Sequence, residues 1–271
     1  MANYLHTEGI CLRRLDYSNT SQVAAFLTPD AGTLSVMAKG VTRAPKRGVR
    51  TGFDLLGRYE LIYTPRPAGT LQNLTYRWLR EDFRGLRRSL PGMLCGFYVA
   101  ELALNFAAEG DPCPGLYART LETLRRLDAG RRLGLNVLRL ELGALAEHGT
   151  LPVFDRCSRC GGPLPDRGPV TFSPADGGVL CATCEGASGP GDVPPRGGTI
   201  PVRADFLPLL AALAAGKDVP DLDPRRTVAL STVLRFHIRY QLGKELRMWK
   251  YLQRRELTRS LRRIRRRLPQ R

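Results

Sequence analysis

Acidic side chains are scarce in this sequence. It has 25 Asp and Glu against 42 Lys and Arg over 271 residues, a formal net charge of +17, and the pI is near 10.2. Such an imbalance speaks to partners and not to fold, and a polyphosphate is the first candidate, ahead of an anionic membrane. Long apolar runs are also missing: no stretch approaches the ~18 apolar residues of a membrane span. The opening MANYLHTEGICLRRLDY lacks the apolar core of a secretory leader. A cytoplasmic, nucleoid-associated protein with no membrane partner is therefore expected. A phosphate-binding loop for nucleotide hydrolysis is absent too, because Gly216-Lys217 is followed by Asp218 and not by Ser or Thr.

Cysteine is present in an odd number, seven. Cys11, Cys95 and Cys113 sit in apolar surroundings and read as reduced core thiols. The other four form two Cys-x-x-Cys pairs, Cys157 with Cys160 and Cys181 with Cys184, with 20 residues between the pairs. That spacing is the one read as a zinc site. Two residues between thiolates let one tight turn aim both sulfurs at a single ion, and Gly161-Gly162 follows where a positive φ is needed. Four thiolates close the coordination shell, whereas catalytic zinc keeps one position open. One structural Zn2+ is expected, in a module spanning residues 153–186.

The first 78 residues read as short strands broken by turn residues: GICLRRLDY, QVAAFLTP, GTLSVMAKG and GFDLLGRYELIY. Strands of that length and spacing suggest a small barrel of the OB type. From about residue 80 the apolar period becomes helical, with Leu135, Leu138, Leu142 and Leu145 on one face. Asp205 and Asp223-Pro224 read as helix starts, and Gly216 as a helix end. The Gly- and Pro-dense stretch EGASGPGDVPPRGGTIP reads as a loop. The expected fold is α+β: an OB barrel over residues 1–78, then a helical domain over 79–271 that carries the metal module.

Two basic segments stand out. AKGVTRAPKRGVRTG holds Lys39, Arg43, Lys46, Arg47 and Arg50 without an acid, on a loop between two strands. Crowded cations repel one another, and an approaching phosphate backbone removes that cost. The final stretch RRELTRSLRRIRRRLPQR has a helical stripe of Leu257, Leu261, Ile264 and Leu268 among nine Arg, including Arg262, Arg263 and Arg266, with Glu256 the one acid. Both segments are candidate DNA contacts. Phe53, Tyr59, Tyr63, Tyr76 and Trp78 are candidate base-stacking rings, while Trp249 and Tyr251 read as helix packing.

These residues also carry a resemblance. The strand Gly9 to Tyr17, the Thr28-Pro29-x-x-Gly32 turn and the basic Ala38-Lys39-Gly40 loop resemble the opening of the RecO family of bacterial recombination mediators. LELGALAEHGTLPVFDRCSRCG and LRFHIRYQLGKELRMWKYL are similar to later parts of that family, so the resemblance covers about residues 4 to 252. The Arg-rich end lies beyond it. The resemblance implies binding of single- and double-stranded DNA, annealing of complementary strands, and help in loading RecA onto SSB-coated DNA. It also implies RecR and the SSB C-terminal tail as partners, with RecF in the same pathway, and no catalysis. Some family members lack the four cysteines, which fits a metal held for shape.

Two other readings compete. A metal-dependent nucleic-acid enzyme such as a deaminase needs H-x-E followed by P-C-x-x-C, and here His148 is followed by Gly149-Thr150 with no Pro before Cys157 or Cys181. Glu81-Asp82 reads as a solvated helix start. A sequence-specific regulator that reads bases with its metal module needs a basic tip, but the segment between the Cys pairs offers Arg167 against Asp166 and Asp176.

Overall fold

The structure is a computed structural model and describes residues 4–41, 52–67, 69–186 and 197–253. The chain separates into two compact units, one built from residues 1–133 together with the stretch that begins at Arg247, the other from residues 134–246.

The first unit is built on a closed barrel of five strands: β1 (Leu5–Asp16), β2 (Gln22–Thr28), β3 (Gly32–Ala38), β4 (Arg58–Thr64) and β5 (Gln72–Glu81). Neighbours run β1-β2-β3-β5-β4 and back to β1, with β3 and β5 parallel and every other pair antiparallel. This is the order of an OB-type barrel. Alternation drives it: Leu34, Val36 and Ala38 of β3 point inward, as do Tyr59, Leu61 and Tyr63 of β4. At the centre Phe26, Phe53 and Tyr59 pack edge to face at 5.1 to 5.8 Å between centroids, a geometry that the ring quadrupoles favour. Burial pushes the Tyr59 phenol up to about 12, and its oxygen accepts the Asp54 N–H at 2.6 Å. Gly32 ends the β2–β3 turn at φ +58, where a Cβ would stand 2.1 Å from the Ala108 carbonyl oxygen. No other residue fits there.

The fifth strand is a correction to the sequence reading, which passed into helices at about residue 80. β5 extends to Glu81, and Glu81 closes a strand instead of opening a helix. Its carboxylate bridges two arginines: Arg58 of β4 at 2.7 Å, and Arg125 at 2.6 and 2.8 Å. Arg125 lies on α2 (Pro114–Asp128), which follows α1 (Leu90–Phe106). Ser89 caps α1 by accepting the Gly92 N–H at 3.1 Å. Ile10 of β1 and Leu27 of β2 are fully buried opposite one another, on the side of the barrel that α1 and α2 cover.

The second unit holds α3 (Leu133–Glu147), a small antiparallel sheet of β6 (Pro169–Ser173), β7 (Gly178–Leu180) and β8 (Ile200–Arg203) in the order β7-β6-β8, the short helix α4 (Ala182–Gly186), and helices α5 (Leu207–Ala214) and α6 (Pro224–Leu242). Leu135, Leu138, Leu142 and Leu145 of α3 are all buried, as their spacing implies. Asp223 caps α6 by accepting the N–H groups of Arg225 and Arg226, and Gly243 ends it in the left-handed conformation. Asp205 is no cap: it lies in a 3-10 turn and pairs with Arg203 at 2.8 Å, so α5 starts at Leu207 without a side-chain cap. β8 is a second departure, since the Gly- and Pro-dense pattern places Ile200-Pro201 in a loop. His237 of α6 is fully buried, with Nε2 2.8 Å from the Thr150 carbonyl oxygen and its ring edge-on to Phe172 of β6 at 5.8 Å. Burial lowers its pKa and keeps the ring neutral.

After α6 the chain rejoins the first unit through α7 (Trp249–Gln253). Glu101 of α1 accepts the N–H groups of Arg247 and Met248, each at 2.7 Å. Trp249 then buries against Tyr98 at 5.8 Å, and both rings are almost wholly covered. A remote carboxylate thus does for α7 what a local cap does elsewhere. Glu101→Ala is expected to lower thermal stability by about 1–2 kcal/mol and to shift Trp249 emission to the red; unchanged emission would contradict the clasp.

Glu81 generates a pH expectation. Arg125 and Arg58 hold its carboxyl down, at about 2, against an ordinary ~4.3. Its contribution is therefore complete above the ordinary value and lost as pH falls toward 2. Glu81→Gln should cost about 1 kcal/mol at pH 7, given its partial exposure. Urea unfolding should show that gap narrowing below pH 4 and closing near pH 2.

Candidate metal centre and nucleic-acid interface

The four cysteines of the spaced pairs converge. The Sγ atoms of Cys157, Cys160, Cys181 and Cys184 all lie within 4.8 Å of one another. Two turns do the aiming. In the first, the Cys157 N–H donates to the Gly162 carbonyl at 2.8 Å and the Gly161 N–H to the Cys157 carbonyl at 2.9 Å, with Gly161 at φ +71. In the second, β7 delivers Cys181 and the first turn of α4 delivers Cys184. Backbone amides reach the sulfurs themselves: Gly162 N–H to Cys160 Sγ and Cys181 N–H to Cys157 Sγ, both at 3.4 Å.

The donor set fits a tetrahedral cation. Cys160 and Cys181 sulfurs are 3.8 Å apart, which matches the edge of a tetrahedron with zinc–sulfur bonds of about 2.3 Å. Four thiols this close cannot all ionise unaided. Burial opposes ionisation of Cys157, but the surrounding amide N–H groups prevail and hold it down, at about 6. Cys184 shares its proton with the Cys160 sulfur and its other neighbours and is pushed up to about 12. A divalent cation resolves that conflict by taking all four as thiolates. Arg159 braces the shell, donating to the Cys184 carbonyl at 2.7 Å while pairing with Asp176 at 3.0 Å. Among the described residues no second group of three or more His, Cys, Asp or Glu stands within metal-binding distance. The remaining thiols are of another kind: Cys11 is buried in the barrel, which pushes it up to about 12.

On the barrel, Lys39 follows β3 directly and is exposed. Arg43, Lys46, Arg47 and Arg50 of the basic loop, and Arg262, Arg263 and Arg266 of the terminal segment, lie outside the described residues. The point where the loop returns is firmly held. Gln22 accepts the Phe53 N–H at 2.9 Å and donates to Asp16 at 2.7 Å, while Arg14 donates to the Phe53 carbonyl at 2.5 Å. The Arg77 guanidinium lies over the Phe53 ring, 4.8 Å from its centroid. Arg58, Arg80, Arg84, Arg87, Arg125 and Arg126 of this unit are each paired with an acid. Arg13 and Lys39 have no ion-pair partner among the described residues. They share the outer side of β1–β3 with Leu15, Val23 and Met37, which face one another across the strands. Leu15 is 67% exposed and Tyr17, just beyond the strand, 68%.

Sequence reasoning missed Arg13, Leu15 and Tyr17. Strand alternation was their available signal, but a bulge between Cys11 and Arg13 resets the phase. Of the five candidate stacking rings, Phe53, Tyr59 and Tyr63 belong to the barrel core and cannot meet a base, whereas Tyr76 and Trp78 are exposed.

A closed OB-type barrel followed by helices and four converging thiols marks a multidomain protein with a cluster that could hold a metal ion. Comparison with known proteins narrows it. Residues 1–80 match the family model "Recombination protein O N terminal" and residues 87–250 the model "Recombination protein O C terminal". The DNA repair protein RecO of Anaeromyxobacter sp. strain K is 32% identical over 251 residues, covering 90% of this chain and 94% of the relative. The RecO of Desulforudis audaxviator is 35% identical over 231 residues, 80% and 87% of the two chains, and that of Rhodopirellula baltica 31% identical over 212 residues, 78% and 75%. The chain belongs to the RecO family of DNA repair proteins. Among the described residues no helix is long and apolar enough to cross a membrane.

Cys157→Ser and Cys184→Ser should each cut the bound metal, which plasma emission spectrometry will measure near one ion per chain in the native protein, and should lower the melting temperature. Loss of metal without loss of stability would contradict a structural role.

Proposed function

We propose that this chain is a recombination mediator that binds single- and double-stranded DNA without sequence preference, anneals complementary strands, and helps RecA replace SSB on coated DNA. The observation that carries the reading is local: Arg13 and Lys39 are exposed without counter-ions among the described residues on the outer side of β1–β3, and Lys39 opens a segment that adds four more cations and no acid. A phosphate backbone supplies the missing negative charge and releases condensed counterions as it binds. Phosphate contacts carry no sequence information, so recognition is indifferent to sequence.

Annealing needs no fuel in this account. A cationic surface that holds two strands lowers their repulsion and raises their local concentration. No residue is assigned a catalytic role. The metal is a single zinc ion, chosen by an all-thiolate tetrahedral donor set, and it maintains the shape of the second unit. RecR and the acidic C-terminal tail of SSB come to this chain from its family, as does action beside RecF; an acidic tail suits a surface of this charge.

Neutralising Lys39, Arg43, Lys46, Arg47 and Arg50 together should weaken binding of an oligonucleotide and flatten the salt dependence of log K by about 3.5. Neutralising Arg262, Arg263 and Arg266 should flatten it by about 2. Fluorescence anisotropy across a salt series reads both. Unchanged affinity and slope in the five-residue variant would remove the barrel loop from the interface.

A further inference from the structure

The outer side of β4 and β5 carries two large rings that the core does not use. Register places Trp78 opposite Glu60 and Tyr76 opposite Ile62, and β1 adds Glu8 and His6 beside Glu60 and Ile62. Trp78 is 54% exposed and Tyr76 46%. Standing two residues apart on one strand, their backbones are about 6.8 Å apart. The Arg80 guanidinium lies over the Trp78 ring, 5.8 Å from its centroid. Alongside runs an open groove of about 400 Å³, lined by His6, Thr7, Glu8, Arg58, Glu60 and Arg80.

The charges of this groove are matched. Arg58 pairs with Glu8, and Arg80 with Glu60. The face therefore has little of the surplus positive charge that attracts phosphate at Arg13 and Lys39. Nor does it have the make-up of a protein-binding core, where charged residues are depleted; here aromatic rings alternate with ion pairs. A flat ring to stack on, beside a row of hydrogen-bond donors and acceptors, suits a group with a π face and a polar edge. An unpaired nucleobase has both.

We propose that Tyr76 and Trp78 form a stacking platform for unpaired bases of a single strand, with Arg58, Arg80, Glu8 and Glu60 offering donors and acceptors to the base edges. This rests on the nucleic-acid reading above and adds a contact of another kind, made to bases instead of phosphates and on other strands of the barrel. Duplex DNA, with its bases already stacked and paired, gains nothing from it. The platform thus favours single strands over duplex, while the cationic loop treats them alike.

The chain has two tryptophans, and Trp249 is only 3% exposed, so solvent-accessible tryptophan emission reports on Trp78. The full-length protein is titrated with a 20-residue oligothymidylate, with an abasic oligonucleotide of equal phosphate number, and with a duplex. Quenching by the oligothymidylate alone is the expected result. Trp78→Ala should weaken oligothymidylate binding about tenfold without changing its salt slope, and Tyr76→Ala less, while Trp78→Phe retains most of the affinity. Circular dichroism checks that each variant is folded. Tight oligothymidylate binding without quenching, or an equal loss on the abasic strand, overturns the platform and leaves the phosphate reading intact. A change in oligomeric state in Trp78→Ala with unaltered DNA affinity also overturns it and marks the face as a protein contact. Failure of the native protein to bind any of the three ligands sinks both proposals.

Discussion

Surplus positive charge is the constraint around which this molecule is organised. A chain at +17 repels itself, and six guanidinium groups among the described residues of the first unit are quieted by pairing with a carboxylate. Arg58 and Arg125 share Glu81, and Arg80 takes Glu60. What is left unpaired among the described residues includes Arg13 and Lys39, beside a loop that adds only more cations. A protein that folds around such a site keeps an electrostatic cost which a polyanion then removes.

The scaffold explains how the charge can be held in place. A closed barrel has no free edge, and its core of interlocking rings fixes both ends of the basic loop through Gln22, Arg14 and Phe53. The second unit solves a different problem. Its three-stranded sheet is small, β7 having only three residues, and a sheet of that size buries little apolar area. Beside it four thiols converge in a set that could hold one metal ion, and buried His237 ties α6 to Thr150 by its hydrogen bond and to the sheet by its edge-on contact with Phe172.

Much of this was legible in the sequence, and the exceptions share a cause. The four cysteines announced themselves by spacing, because a clip has to be written locally. β3 and β4 alternate because each has one buried face, while β1, β2 and α3 showed as short apolar runs and a leucine stripe although they are buried on more than one side. β5 was hidden since QNLTYRWLRE buries only its first residue fully, with Leu74 only partly buried against the core; its place is set by pairing with β4, which no local pattern records. β8 was masked by the Gly and Pro around it. Asp205 carried the right residue type for a cap, yet Arg203 two residues earlier offered its carboxylate a charged partner. The rings at 53, 59 and 63 could not be separated from those at 76 and 78 by composition. Only closure of the barrel decides which of them face inward. The anchoring of α7 by Glu101, 146 residues before Arg247, had no sequence signal at all.

The proposed interface thus joins two kinds of contact on one barrel: unpaired cations suited to phosphate anywhere along a strand, and exposed rings suited to bases that have lost their partners. A strand held by both keeps its bases separate and available, which is the state from which a complement can pair. Annealing is proposed to need only these contacts, without nucleotide hydrolysis. The most direct measurement is the rate at which two complementary oligonucleotides become duplex in the presence of the full-length, metal-loaded chain and no ATP, followed across a salt series. The account requires a large acceleration at low salt that fades steeply as salt rises. Duplex formation at the spontaneous rate in dilute buffer would contradict it.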